Sequence, residues 1–240
     1  MEATIATRYR DEYLWAVDKP SGMLVHRGWG RDAVVLLDVL ARMHRGALHP
    51  LHRLDRQTSG VVLIALDEKT ARDMSARFEQ GTIEKRYLAL VRGQPPAEGC
   101  VDQPLPRRED GPRVPAESRF RTLVTAAVEP RTVSLVEVRP LTGRPHQVRR
   151  HMKHLGHPLI GDANYGKGPL NRAFRERYGL SRLALHASSL AFFHPALGHR
   201  VEVHAPLPED LVTPLRRIGV LPDATTGPRA VPGDHFENTP

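Results

Sequence analysis

His52-Arg53-Leu54-Asp55-Arg56-Gln57-Thr58-Ser59-Gly60 runs directly into Val61-Val62-Leu63-Ile64-Ala65-Leu66. The second half is apolar on both faces, the pattern of a strand covered on both sides. The first half reads as a loop entering that strand, and it holds one carboxylate, Asp55, flanked by arginines at 53 and 56. Placing a charge there is costly unless it is used, which makes Asp55 the candidate reacting group. The alternative is a structural Asp–Arg ion pair at a strand end, because such networks perturb carboxylates without any function.

Working outward, Asp67 is suited to cap a helix carrying Ala71, Met74 and Phe78 on one stripe and ending at Gly81. Lys85 to Val91 reads as a strand with Lys85, Tyr87, Ala89 and Val91 on one face. The natural unit is therefore strand, helix, and a strand returning beside the first. Upstream, Tyr13 to Val17 reads as a strand, Asp18 to Gly22 as a turn and Met23 to His26 as a short extended piece. A helix is predicted from an N-cap at Asp32, through Val34, Leu37, Leu40, Ala41 and His44, to Gly46.

Downstream, Gln94 to Pro115 is crowded with proline and reads as an irregular excursion. Phe120 to Val124 and Thr132 to Val138 are strand-like. Thr142 fits an N-cap, Pro145 a first turn and Gly156 a stop for a helix with Val148, Met152 and Leu155 on its apolar stripe. Arg149, Arg150 and Lys153 crowd its remaining surface, and for an arbitrary basic helix this is a solvated face. His186 to Ala205 alternates as a hairpin turning near Gly198, and Glu209 to Ile218 reads as a closing helix weakened by Pro214. From Pro222 onward apolar anchors are few, which predicts a mobile tail over 222–240.

The chain has 240 residues and 40% hydrophobic content, enough for one large domain or two small ones. Its formal net charge of +8 favours a polyanionic partner such as nucleic acid. A single cysteine, Cys100, excludes an intrachain disulfide and a multi-thiolate metal site and suits a reducing cytoplasm. Met1 to Glu12 lacks the apolar core of a signal peptide, and no apolar run approaches the roughly 18 residues of a membrane span. A soluble cytoplasmic protein is expected, with no membrane partner.

His146, His151, His154 and His157 lie close together, but no acidic residue separates His146 from His157, and the arginines at 144, 149 and 150 would repel a cation. No metal is expected. The G-x-S-x-G elbow, the G-x-G-x-x-G turn and the Walker loop are all missing, so neither a serine triad nor a nucleotide cofactor is suggested. What remains is one carboxylate in basic surroundings and a well-placed tyrosine. A carboxylate held against an arginine stays ionised and can attack as a nucleophile without a cofactor. Acting on a base in structured RNA would also require groups that extract the base and stack on it.

His52-Arg53-Leu54-Asp55 with Thr58-Ser59-Gly60, Lys85-Arg86-Tyr87, Thr142-Gly143-Arg144-Pro145-His146-Gln147-Val148-Arg149, Gly156-His157-Pro158 with Gly161-Asp162, and Leu185-His186-Ala187 with His194-Pro195 occur in this order. Together they resemble the RluA family of pseudouridine synthases. The resemblance implies conversion of uridine to pseudouridine in RNA, without a cofactor. It also implies an α+β fold: a mixed, largely antiparallel sheet flanked by helices, with a central active-site cleft. Asp55 matches the catalytic aspartate, attacking either the uracil ring or the sugar carbon. Tyr87 matches the tyrosine that stacks on the target base, Arg149 the basic partner of the aspartate, and Val148 its apolar neighbour. Arg53 matches the arginine that enters the RNA helix where the uridine left. His52, Arg144 and His146 lie in the same motifs and are expected beside the RNA.

The small RNA-binding domain that precedes many relatives is not expected, since about twelve residues precede Tyr13. Residues 1–221 are read as one catalytic domain, acting as a monomer. Lys19-Pro20-Ser21-Gly22 through Arg27, together with Asn171-Arg172 and Phe174-Arg175, look like the branch that modifies a uridine at the base of the T stem of tRNA. Tyr165 stands where that branch often has histidine, which leaves a ribosomal-RNA or dual-substrate relative as the alternative. A non-catalytic RNA-binding module is the alternative class.

Overall fold

A computed structural model describes residues 5–27, 34–107 and 111–221. In chain order its elements are β1 (Ala6–Arg10), β2 (Leu14–Lys19), α1 (Leu36–Met43), β3 (His49–Pro50), β4 (Ser59–Ala65), α2 (Glu68–Glu79), β5 (Glu84–Arg92), β6 (Glu98–Val101), β7 (Leu105–Pro106), β8 (Arg113–Val114), β9 (Ser118–Ala126), β10 (Val133–Pro140), α3 (Gln147–His154), α4 (Gly168–Tyr178), β11 (Leu185–Phe193), β12 (Arg200–His204) and α5 (Glu209–Ile218). Ten strands form one sheet in the order β1-β2-β4-β11-β5-β10-β9-β6, with β3 on β4 and β12 on β11. Only the β4–β11 pairing is parallel, so the α+β, mostly antiparallel architecture holds.

Why β4 reads as continuously apolar is plain from its two faces. Val61, Leu63 and Ala65 join Leu14 and Ala16 of β2 under α2, where Met74 is buried with Ala71 and Phe78 beside it. Val62 and Ile64 face the other way, with Trp15 and Val17, against Leu36 and Leu40 of α1. Each such side chain contributes roughly 2 kcal/mol of burial. Asp67 caps α2 as expected, accepting Thr70 N–H at 2.8 Å. In the other half of the sheet, Val148 and Met152 of α3 pack on Ala89, Val91, Val136 and Val138. Phe174 of α4 and Leu211, Leu215 and Ile218 of α5 cover Leu90, Val133 and Leu135 on the opposite face. Tyr87 packs against both the α1-side and the α3-side clusters, so those two helices cover the same face of the sheet.

Several expectations are corrected. β5 does not return beside β4, because β11 lies between them, antiparallel to β5. That insertion depends on Gly60, whose φ is +117 and where a Cβ would stand 2.2 Å from the Ala187 carbonyl oxygen. The proline-rich excursion holds an edge strand, β6, paired with β9 from Glu98↔Arg121 to Val101↔Ser118, and a separate β7–β8 ladder. Met23 to His26 is irregular, and the Leu24 and Val25 carbonyls accept Leu36 and Leu37 N–H at the start of α1. The proposed cap at Asp32 and the tail over 222–240 lie outside the described residues. α3 begins at Gln147, five residues beyond Thr142, whose hydroxyl instead donates to Gln147 Oε1 at 2.8 Å. Gly156 ends α3 at φ +82, as its sequence position implies. α4 was not anticipated: Phe174 is its one fully buried side chain. The β11–β12 hairpin and α5 stand where the periodicity put them. Among the described residues, no helix is long and apolar enough to cross a membrane.

Candidate active site

The loop before β4 alternates inward and outward. Leu54 is buried in the α1-side core, Arg53 and Arg56 are exposed, and Asp55 reaches solvent with 22% of its side chain accessible. Thr58 N–H donates to the Asp55 carbonyl at 3.0 Å, closing a turn around the carboxylate. Two buried cations tether that turn by its backbone. Lys19 donates from Nζ to Pro20 O (2.9 Å), Met23 O (2.7 Å) and Arg56 O (3.3 Å). Arg182 donates from Nη2 to Gln57 O (3.2 Å) and Ser59 Oγ (2.8 Å) while its Nη1 binds Asp210. Burial and the nearby Arg182 lower the Lys19 ammonium to about 7.

α3 delivers Arg149 from the same face. Its Nη1 donates to Asp55 Oδ2 at 2.9 Å, while Nε and Nη2 donate to Asp162 Oδ2 and Oδ1 at 2.8 and 2.9 Å. This buried arginine is not on a solvated face of the helix. Despite the opposing effect of burial, its two carboxylates raise its pKa above the ordinary arginine range. Asp162 lies well inside: its Oδ1 also accepts Asn164 and Tyr165 N–H, and these bonds lower its pKa even though burial opposes them. Its hydrogen-bonding capacity is largely taken up. Asp55 differs, for Oδ2 is paired with Arg149 and, among the described residues, Oδ1 faces His146 Nε2 at 3.7 Å. Of the two acids on Arg149, Asp55 is the one with accessible surface.

Tyr87 rises from β5 beside the pair and packs with Val148. Burial, and then the charge on Asp55, raise its phenol well above the usual range, so it is protonated at neutral pH. His146 lines the same opening, with its Nδ1 3.1 Å from the Tyr165 hydroxyl. Arg144 lies at the rim, bonded from Nε to Pro115 O, and burial lowers its pKa, as does Arg107. Near it, Lys85 donates to Thr142 O and is lowered to about 8, chiefly by burial. Arg53 is exposed on the loop two residues before Asp55.

His52 does not join this group. Its Nε2 accepts Leu63 N–H at 3.1 Å and its ring packs on Phe78, 5.1 Å between centroids, so the side chain extends the β3–β4 ladder under α2. Burial there lowers its pKa to about 3. Among the described residues no three His, Cys, Asp or Glu side chains are grouped to hold a metal ion. Asp162, Lys19, Arg182 and Tyr165 are the supporting residues that motif reading had not assigned a role. A buried arginine needs a bidentate carboxylate, and that requirement was the available signal for Asp162.

A family model described as RNA pseudouridylate synthase matches residues 13–154, the span that carries Asp55, Tyr87 and Arg149. The chain belongs to the RNA pseudouridylate synthase family. Among its relatives, tRNA pseudouridine synthase C of Pasteurella multocida is 41% identical, with 84% of this chain and 91% of that protein covered. The protein of the same name from Salmonella typhimurium is 40% identical, covering 90% and 91%. Human RNA pseudouridylate synthase domain containing 4 has a similar structure, with a TM-score of 0.72, 28% identity and coverage of 89% and 92%. As a pseudouridine synthase, the protein is an isomerase of uridine in RNA.

Proposed function

We propose that this pseudouridine synthase acts on tRNA, at the uridine at the base of the T stem, with Asp55 as the reacting group. The observation that carries the chemical part is the asymmetry of the two carboxylates on Arg149: the Asp162 side chain has no exposed surface, whereas 22% of the Asp55 side chain is accessible. The shared name of the bacterial relatives supports tRNA as substrate. A flipped-out uridine would stack on Tyr87 above Val148, and Arg53 would fill the gap left in the RNA helix. The N1–C1′ bond breaks, the uracil turns, and C5 bonds to C1′; C5 loses a proton and N1 gains one. No external reactant is consumed. The surplus of +8 steers polyanions toward the protein. We assign residues 1–221 to one catalytic unit, working as a monomer in the cytoplasm.

The test is purified protein incubated with unmodified tRNA transcripts in the absence of metal or cofactor. Pseudouridine is expected, with Asp55→Asn abolishing product while leaving RNA binding intact. Product from Asp55→Asn would remove Asp55 from its role. Mapping pseudouridine in total tRNA and rRNA with and without the protein tests the substrate, and a lost site in rRNA alone would overturn the tRNA assignment.

A further inference from the structure

Gln147, rather than His146, organises the entry to α3. Its Oε1 accepts Arg144 N–H (2.9 Å) and the Thr142 hydroxyl (2.8 Å), and its Nε2 donates to Glu117 O (2.8 Å) and Ser118 Oγ (3.0 Å). Drawn in by these bonds, the loop leaves His146 at φ 54 and ψ 26, the only non-glycine residue with positive φ among the described residues. His146 is the N-cap of α3, yet its side chain makes no capping bond. Left-handed backbone at a non-glycine residue is uncommon, and such residues gather at functional sites. Here it aims the imidazole at the oxygen of Asp55 that Arg149 leaves open.

The other side of the ring is held as well. Nδ1 is 3.1 Å from the Tyr165 hydroxyl, and the Tyr165 ring lies under the Arg149 and Lys153 cations, 5.1 and 5.5 Å from its centroid. Tyr165 is itself fixed through its N–H to Asp162 Oδ1 at 3.0 Å. A lone pair on Nε2 would face the carboxylate unfavourably, so the matching tautomer has Tyr165 O–H donating to Nδ1 and N–H on Nε2 directed at Asp55. The proximity of Asp55 and Asp162 would favour an imidazolium, but burial above all, together with Arg149 and Arg150, outweighs them and keeps His146 neutral. The 3.7 Å gap is longer than a hydrogen bond. Gaps of this kind close in the substrate complex.

We infer that His146, oriented by Tyr165, is a positioning residue that holds the second oxygen of Asp55 for attack, not an RNA contact. This rests on Asp55 being the reacting group, which the Asp55→Asn experiment tests separately. Single-turnover rate and dissociation constant for unmodified tRNA should be measured for wild type and for His146→Asn, His146→Gly, His146→Gln and Tyr165→Phe. Asn and Gly accept left-handed backbone, so their folding is preserved and a rate loss reports function. Both should slow single turnover by roughly 10- to 100-fold with unchanged RNA affinity. Gln, whose amide nitrogen reaches the place of Nε2, should restore part of the rate. Tyr165→Phe should slow the reaction less than His146→Asn. Wild-type rates in Asn and Gly would overturn the inference, as would a loss confined to RNA affinity, or a Gln variant no faster than Asn.

Discussion

Removing the Asp162 carboxylate tests whether Arg149 is held mainly from behind. Asp162→Ala deletes two charge-assisted bonds, at 2.8 and 2.9 Å, from a side chain with no exposed surface, and leaves Asn164 and Tyr165 N–H without their acceptor. Arg149 then stays buried with only Asp55 for a partner. Breaking a buried pair from one side costs about 3–5 kcal/mol. For a domain of this size each kcal/mol moves the melting temperature by roughly 2–4 °C, so a drop of about 6–20 °C is expected. Arg149→Met should cost a similar amount, since it strands Asp162. With both changes together the fully buried charges are gone and only the partly exposed Asp55 is left without its guanidinium, so the double variant should lose less than the sum by about 2 kcal/mol or more. Thermal unfolding followed by circular dichroism gives these values, and single-turnover pseudouridine formation should fall in every variant. If Asp162→Ala melts within about 3 °C of wild type, the idea that this carboxylate anchors the guanidinium is wrong.

Gly60→Ala should cost more than about 3 kcal/mol, because the new Cβ meets the Ala187 carbonyl oxygen at 2.2 Å at a φ of +117; soluble yield and melting temperature report it, and a near-native melt would contradict it. His52, lowered to about 3 in the fold, binds a proton in the unfolded chain from near 6.5 downward, so folding loses stability as pH falls from 6.5 to 3. At pH 5 this amounts to about 2 kcal/mol. His52→Gln keeps an acceptor without titrating and should recover that much of the difference between urea midpoints at pH 7 and pH 5. Arg53→Ala should slow single turnover while leaving tRNA affinity nearly unchanged, as phosphate contacts carry most of the binding; a loss confined to affinity would assign Arg53 to the RNA backbone instead.

Local features were legible where short-range physics decides them. β4 showed itself by apolar residues on both faces, α2 by its Asp67 cap, and α3's end by Gly156. Asp55, Tyr87 and Arg149 were legible through their motifs, and the fold brings Asp55 and Arg149 to 2.9 Å across 94 positions of chain. What stayed hidden depends on distant partners. Nothing local to β4 says that β11 will pair with it, since that contact is permitted by the missing side chain of Gly60. His52 looked like a site residue by its motif, yet its imidazole is claimed by the Leu63 N–H and the Phe78 ring under α2, partners that the motif does not contain. Thr142 had the chemistry of an N-cap, but Gln147 captured its hydroxyl and moved the helix start to His146. The Arg149–Asp162 clamp becomes readable only once Arg149 is known to be buried, because a basic helix surface otherwise looks solvated.

The single parallel pairing also sets a timetable. Ser59 and His186 are 127 positions apart, so at about 5–20 residues per second a ribosome needs roughly 6–25 s after making one to make the other. Throughout that interval the turn bearing Asp55 lacks its neighbour on that side. The carboxylate behind Arg149 and the Arg182 tether also arrive after residue 154. A nascent chain therefore holds the Asp55 turn without its parallel neighbour until residue 186 has been made.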